Sequence, residues 1–237
     1  YKGSHCQIQT QTVKNRREPA MAASVHMIPS FNLHTYQDYC TAVAAKDPQL
    51  QAILERYGHP PFWSRAASVE SIVHIILEQQ VSLASAKAAL VKLQQLMGEI
   101  TAEGLLGLTD EALRACYFSR QKASYVRDLA RAIVSKQLDL EALATLPDDD
   151  VRSALKKVKG IGDWTVDVYL LFVLHRLDVF PTGDLAMVNA FKEIKQLPKQ
   201  TGKEEILAMA EHWRPYRSMA TMLLWHHYLR SRAKSSS

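Results

Sequence analysis

Leu155-Lys156-Lys157-Val158-Lys159-Gly160-Ile161-Gly162-Asp163-Trp164-Thr165-Val166 reads as an apolar and basic helix end that runs into Gly-Ile-Gly and then into a second helix from about Asp163. Two glycines one residue apart let the backbone turn sharply and approach another surface closely, because neither carries a Cβ. The N–H groups after such a turn belong to a helix N-terminus, where hydrogen bonding and the helix dipole both favour a phosphate oxygen. The stretch therefore predicts a helical hairpin that meets a nucleic-acid backbone at Gly160, Gly162 and Thr165. An ordinary helix–helix turn would carry the same glycines. Lys156, Lys157 and Lys159 favour the phosphate reading, since each can add electrostatic affinity for a polyanion.

Asp184 stands twenty-two residues past Gly162 in Phe180-Pro181-Thr182-Gly183-Asp184-Leu185-Ala186-Met187, a turn that presents one carboxylate at the start of another helix. Taken alone, Asp184 is most simply an N-cap. Paired with the glycine hairpin it is also the leading candidate for a catalytic carboxylate. Asp163 and Asp167 are weaker candidates, expected on a surface that faces DNA or solvent.

Outward from these segments the chain reads as a succession of helices. Asp47-Pro48 gives an N-cap and a first-turn proline, opening a helix that closes before Gly58. Ser68 caps a helix carrying Val69, Ile72, Ile75, Ile76 and Leu77 at a 3.6-residue period. Further helices are expected over Ser85 to Met97, from Thr109, over Gln121 to Ser135, and after a capping box at Thr201 to Glu204. Only Leu177 to Phe180 looks extended, and no Asn-Gly or Asp-Gly hairpin turn is present. The expected class is all-α, a two-lobed helical array with lobes at about 68–175 and at 27–67 plus 176–231, and its cleft between the lobes. Residues 1–26 read as a disordered tail, in which Gly3-Ser4-His5 resembles a cloning remnant, with the folded domain over 27–237.

A chain of 237 residues with 47% hydrophobic content can bury a core without disulfides or metals. Its three cysteines, Cys6, Cys40 and Cys116, are too few for a four-cysteine cluster and suit a reducing compartment. The longest apolar stretch, Val166 to Leu174, is broken by Asp167 and falls short of the roughly 20 residues that span a bilayer. The net charge of +5 is concentrated: residues 151–237 hold 14 Lys/Arg against 8 Asp/Glu, whereas residues 1–150 hold 15 against 16. The basic excess thus lies in the half that carries the hairpin.

Five segments in order resemble the helix-hairpin-helix DNA glycosylase superfamily, and within it the bacterial 3-methyladenine DNA glycosylase branch. They are Ile76 to Ser82, Phe118 to Ala123, Gly160 to Thr165, Pro181 to Asp184, and Arg214 to Ser218 followed by Trp225. The resemblance covers about residues 60 to 230, in a compact form without the N-terminal β-rich domain of larger relatives. It implies a monofunctional enzyme that flips an alkylated purine out of double-stranded DNA and hydrolyses its N-glycosidic bond. Asp184 would be the catalytic carboxylate, stabilising the oxocarbenium-like sugar and orienting water. Trp225, with Trp63 and Phe62, would wall the pocket for the extruded base, and Gln80 would fill the gap it leaves. Lyase-competent relatives carry a lysine where this chain has Trp164, so the product would be an intact abasic site.

The resemblance also implies no required cofactor, but a structural Na+ or K+ held by the main-chain carbonyls of Lys156, Val158 and Ile161. His226-His227 does not read as a metal pair, because adjacent helical residues point about 100° apart. The expected setting is a monomer with no membrane contact, cytoplasmic in a bacterium or nuclear in a eukaryote. A glycosylase for an oxidised or deaminated base, or a non-enzymatic hairpin module that binds DNA, would share part of this pattern.

Overall fold

The computed structural model describes residues 28–233, and the tail read at 1–26, with Cys6, lies outside them. The chain opens with α1 (Tyr36–Ala44), α2 (Pro48–Tyr57), α3 (Val69–Glu78), α4 (Leu83–Met97) and α5 (Ala102–Gly107). It continues through α6 (Asp110–Ala115), α7 (Arg120–Val134), α8 (Leu140–Leu143), α9 (Asp148–Lys156) and α10 (Asp163–Phe172). It ends with α11 (Leu185–Ile194), α12 (Lys203–Ala210), a 3-10 turn at Glu211–Trp213, and α13 (Arg217–Ala233). Among the described residues the β pairing is one isolated antiparallel bridge, Ser30 to Arg176. The fold is all-α, and no described helix is long and apolar enough to cross a membrane.

Short polar side chains set most helix starts. Asp47, Ser68, Thr109 and Asp184 each accept a hydrogen bond from a backbone N–H two or three residues ahead, answering donors that the first turn leaves unpaired. Three sequence expectations need correction. Helix α4 begins earlier than Ser85, because the Ser82 hydroxyl takes the Ser85 N–H. The Thr201 capping box does not form: the Thr201 N–H turns back to the Pro198 carbonyl, leaving Gly202 as the N-cap of α12. Leu177 to Phe180 is no strand: the Leu177 N–H donates to the Pro29 carbonyl, and the groups beyond it turn to α13. The Ser218 N–H donates to the Leu177 carbonyl, and the Val179 N–H donates to the Ser218 hydroxyl at 2.8 Å.

Helix packing falls into two sets. In one, α3 packs on α4, α7 and α10, α10 on α9, and α7 on α5 and α6; in the other, α13 packs on α1, α2 and α11. Helices α3 and α10 are buried nearly all round, with Ile72, Val73, Ile75, Ile76, Val166, Leu170 and Leu171 in the core and the polar Ser71, Glu78, Thr165 and Asp167 also buried, as suits central rather than surface helices. The second set is tied by Asp47, a buried carboxylate that caps α2 while accepting from Lys195 Nζ at 2.5 Å and Trp213 Nε1 at 2.9 Å. Cys40 and Cys116 are free and buried.

The hairpin between α9 and α10 is locked to α7 and α3. Gly160 takes φ +92°, and a Cβ there would meet the Tyr125 ring at 2.1–2.5 Å. Gln79 Nε2 donates to the Gly160 carbonyl and to Thr165 Oγ1, each at 2.9 Å. Replacing Gly160 therefore forces both a left-handed backbone on a residue with a Cβ and a clash with the inner part of a ring. Gly160→Ala is expected to destabilise the protein by about 2–4 kcal/mol, read as a lowered urea midpoint with an unchanged m-value.

Candidate active site

Asp184 closes a turn in which its own N–H donates to the Pro181 carbonyl at 2.8 Å, and it opens α11. The turn is held from below by Phe180, buried edge-on against Phe191 and Trp213. It is framed from the side by Asp178, whose carboxylate takes Arg217 Nε at 2.7 Å and is also paired with Arg214. These partners explain the Arg214 to Ser218 segment: its arginines and Ser218 brace the chain that leads to Asp184.

Three N–H donors converge on the Asp184 carboxylate. Met187 N donates to Oδ1 at 2.8 Å, Trp225 Nε1 to Oδ1 at 2.9 Å, and Trp164 Nε1 to Oδ2 at 2.8 Å. Asp184 is thus an N-cap and, at the same time, a carboxylate oriented by two indoles. Trp164 belongs to α10 and Asp184 to α11, so this contact joins the two helix sets directly behind the hairpin turn.

An aromatic group adjoins the carboxylate. Phe172 stacks on Trp225 with ring centres 5.2 Å apart and planes at 28°, and Trp63 meets Phe172 edge-on at 6.3 Å. Arg65 lies 5.8 Å from the centre of the Phe172 ring, donates its N–H to the Phe172 carbonyl, and forks onto Glu78 at 2.7 and 3.0 Å. Trp225 therefore meets Asp184 directly, and Trp63 joins the same aromatic group through Phe172. Phe62 does not join this group: its ring stacks on His175 at 5.3 Å and packs against Phe31 and Tyr36. Phe172, Arg65 and Glu78 were not singled out from the sequence. An aromatic and an ion pair at helix ends carry no local signal of what they support.

The hairpin presents Gly162 as the N-cap of α10, with φ −104° and ψ −177°, a backbone open to any residue. A Cβ built on Gly162 meets nothing within 4 Å, so this glycine, unlike Gly160, leaves open space above the N-terminal N–H groups of Asp163, Trp164 and Thr165. The side chain of Thr165 is buried and bound to Gln79, which leaves its backbone N–H as the group the hairpin can offer at this position. Asp167 is corrected. It is buried and paired with Arg152 at 2.5 Å, because α10 turns that face inward; burial pushes its carboxyl up and the guanidinium draws it back down. Asp163 is exposed and pairs with Lys156 at 2.6 Å, which occupies one of the three expected phosphate-facing lysines.

Lys159 is exposed beside the turn. Of the expected carbonyl set Lys156, Val158 and Ile161, the Val158 oxygen already accepts the Ile161 N–H at 3.1 Å. Gln80 is exposed in the turn after α3 with φ +57°, flanked by exposed Val81 and Leu83. Its neighbour Gln79, not singled out from the sequence, is the residue that clamps the hairpin. His226 and His227 diverge, the first toward the Tyr57 carbonyl and the second toward Glu193.

The contrast between the two glycines yields an expected outcome. Gly162→Ala should alter stability by no more than about 1 kcal/mol, yet weaken binding to every duplex alike, because its methyl group would stand where a phosphate approaches. Equal affinities of wild type and variant in a fluorescence-anisotropy titration with undamaged duplex would contradict the role of this turn.

Comparison with known proteins agrees with this geometry. Residues 73–215 match the model of the family described as HhH-GPD superfamily base excision DNA repair protein. A Bacillus subtilis (strain 168) protein provisionally named a DNA-3-methyladenine glycosylase is 33% identical over 184 residues, 74% of this chain and 64% of its own. The chain thus spans just under two thirds of that relative. DNA-3-methyladenine glycosylase 1 of Schizosaccharomyces pombe is 31% identical over 160 residues, covering 66% of this chain and 70% of that protein. Among solved structures, the S. pombe 3-methyladenine DNA glycosylase in complex with abasic DNA superposes with a TM-score of 0.75 at 27% identity, over 79% of this chain and 95% of that one. A DNA-3-methyladenine glycosidase from Bacillus halodurans superposes with a TM-score of 0.68 at 29% identity, over 83% and 91%. The family match spans more than half of the chain and takes in both the Gly160–Gly162 hairpin and Asp184, so this chain belongs to the HhH-GPD superfamily of base excision DNA repair proteins.

Proposed function

We propose that the protein is a DNA glycosylase that removes alkylated purines of the 3-methyladenine type and leaves an intact abasic site. The observation that carries this reading is the Asp184 carboxylate, oriented by three N–H donors beside the stacked Trp225–Phe172 pair. In this reading the hairpin N-terminus takes the phosphate backbone of double-stranded DNA and the damaged nucleotide rotates out of the stack into the cleft between the lobes at about 68–175 and at 27–67 plus 176–231. Phe172 backs one face of Trp225, and the other would take the base, with a cation–π attraction of about 1 kcal/mol or more for a purine made cationic by alkylation. As the glycosidic C–N bond breaks, its electron pair goes to the base, which leaves neutral. The sugar cation is stabilised by Asp184 and captured by water at the anomeric carbon, the water proton passing to the carboxylate or solvent.

Such an enzyme would act as a monomer where the genome is held, in the cytoplasm of a bacterium or the nucleus of a eukaryote. Exposed Gln80 is the proposed plug for the vacated stack. A Na+ or K+ at the hairpin is proposed to use the free lone pairs of the Lys156, Val158 and Ile161 carbonyls and to bring positive charge near the phosphate.

Asp184→Asn is the test of this function. Asparagine still caps α11, so the fold and the affinity for abasic-site duplex should survive, while excision of methylated purines falls by at least roughly two orders of magnitude. Near wild-type turnover would overturn the assignment. Running the same assay on duplexes with oxidised bases separates the alkylation reading from the other lesion class.

Trp164 also bears on the product. With an indole where lyase-competent relatives carry an amine, borohydride should trap no covalent protein–DNA adduct, and the strand should stay whole until heat or alkali is applied. A strong adduct abolished by mutating one lysine would show that the enzyme also cleaves the strand.

A further inference from the structure

We propose that Trp164 is a positioning residue that selects which oxygen of Asp184 does the chemistry. This rests on the glycosylase reading of the site and goes beyond it by assigning the work to one atom. A carboxylate offers about four lone-pair positions, two on each oxygen. Both positions on Oδ1 are taken, by the Met187 N–H at 2.8 Å and the Trp225 indole N–H at 2.9 Å. Among the described residues, only the Trp164 indole N–H is bound to Oδ2, at 2.8 Å. The remaining acceptor position therefore lies on Oδ2, and this is the oxygen that can meet a developing sugar cation or the attacking water.

The placement of Trp164 fits that task. It sits in the first turn of α10, two residues after the N-cap Gly162, and a Cβ built on Gly183 would lie 3.7 Å from the Trp164 Cβ, so its backbone end packs against the turn that carries Asp184. One rigid side chain thus links the hairpin to the reacting carboxylate, and a phosphate seated on the hairpin fixes the distance from DNA backbone to Oδ2. The two oxygens are held by different helix sets. Oδ1 is held from α11 and α13, and Oδ2 from α10.

Two effects of the Trp164 N–H oppose one another. A donor draws negative charge away from Oδ2, which weakens its attraction for a cation. It also fixes the direction of the free lone pair before the reaction begins, so that no reorientation is needed as charge develops. Orientation should prevail, because Oδ2 has no other protein donor among the described residues and would otherwise recruit a water that has to be displaced.

The experiment compares wild type, Trp164→Phe, and a protein in which Trp164 is replaced by 3-benzothienylalanine, an isostere with sulfur in place of the N–H. Single-turnover excision of methylated-purine duplex at saturating enzyme, affinity for abasic-site duplex and the thermal midpoint are measured for each, with Asp184→Asn in parallel. Both Trp164 replacements should lower the excision rate by roughly 10- to 100-fold, the value of a hydrogen bond to a charged group, while product affinity stays within roughly twofold. The isostere should also keep the wild-type thermal midpoint, so that loss of packing is not the cause.

An isostere with an undiminished or increased rate overturns the proposal, as does a rate loss matched by loss of affinity. If Asp184→Asn loses activity while the isostere retains it, only the role of Trp164 fails. If Asp184→Asn remains active, the glycosylase reading of the site fails with it.

Discussion

A half-buried carboxylate is held in one orientation only when donors meet its oxygens. In this protein that requirement falls on Asp184, and the helices around it are arranged to meet it. Met187 supplies the backbone N–H of a helix start, Trp225 comes from the long C-terminal helix, and Trp164 reaches across from the hairpin. Two of these donors are indoles, which give a fixed N–H direction on a flat apolar body and introduce no competing acceptor. The same side chains that hold the charge therefore also furnish the aromatic surface beside it.

The hairpin depends on a different constraint, the close approach of backbone to neighbours on both sides. Gly160 faces inward, where the Tyr125 ring occupies the space of a side chain and the Gln79 amide takes its carbonyl. Gly162 faces outward and meets nothing. One glycine thus serves the packing of the protein against itself and the other leaves the space outside the turn open, though the sequence Gly-Ile-Gly presents them as equivalents. Locking the inner side is what makes the outer side rigid, and a rigid row of N–H groups loses little entropy when a phosphate binds.

Behind the site, much of what looked like functional sequence is bracing. Glu78 and Arg65 secure Phe172, Phe172 backs Trp225, and Arg217 and Ser218 fix the chain that turns at Asp184. Lys122, in the Phe118 to Ala123 segment, donates to the Leu77 carbonyl at 2.5 Å and so closes the end of α3 next to the clamping Gln79. The proposed action on one nucleotide needs groups held to fractions of an ångström, and these contacts supply that support.

The sequence by itself determined what depends on neighbours along the chain. Helix starts at Asp47, Ser68 and Thr109 were legible because a capping side chain answers N–H groups two or three residues away, and the hairpin because glycine spacing is a backbone property. Asp184 was legible for the same reason, as the cap of α11. Only the tertiary structure decided which of Gln79 and Gln80 holds the hairpin, that Phe62 and Trp63 part to different aromatic groups, that Asp167 lies inside, and that Trp164 meets Oδ2 of Asp184. Those outcomes rest on contacts between residues as many as 113 apart, such as Phe62 with His175. They are fixed by how whole helices pack and by which donors a buried acceptor can reach, and neither is written in any local stretch of the chain.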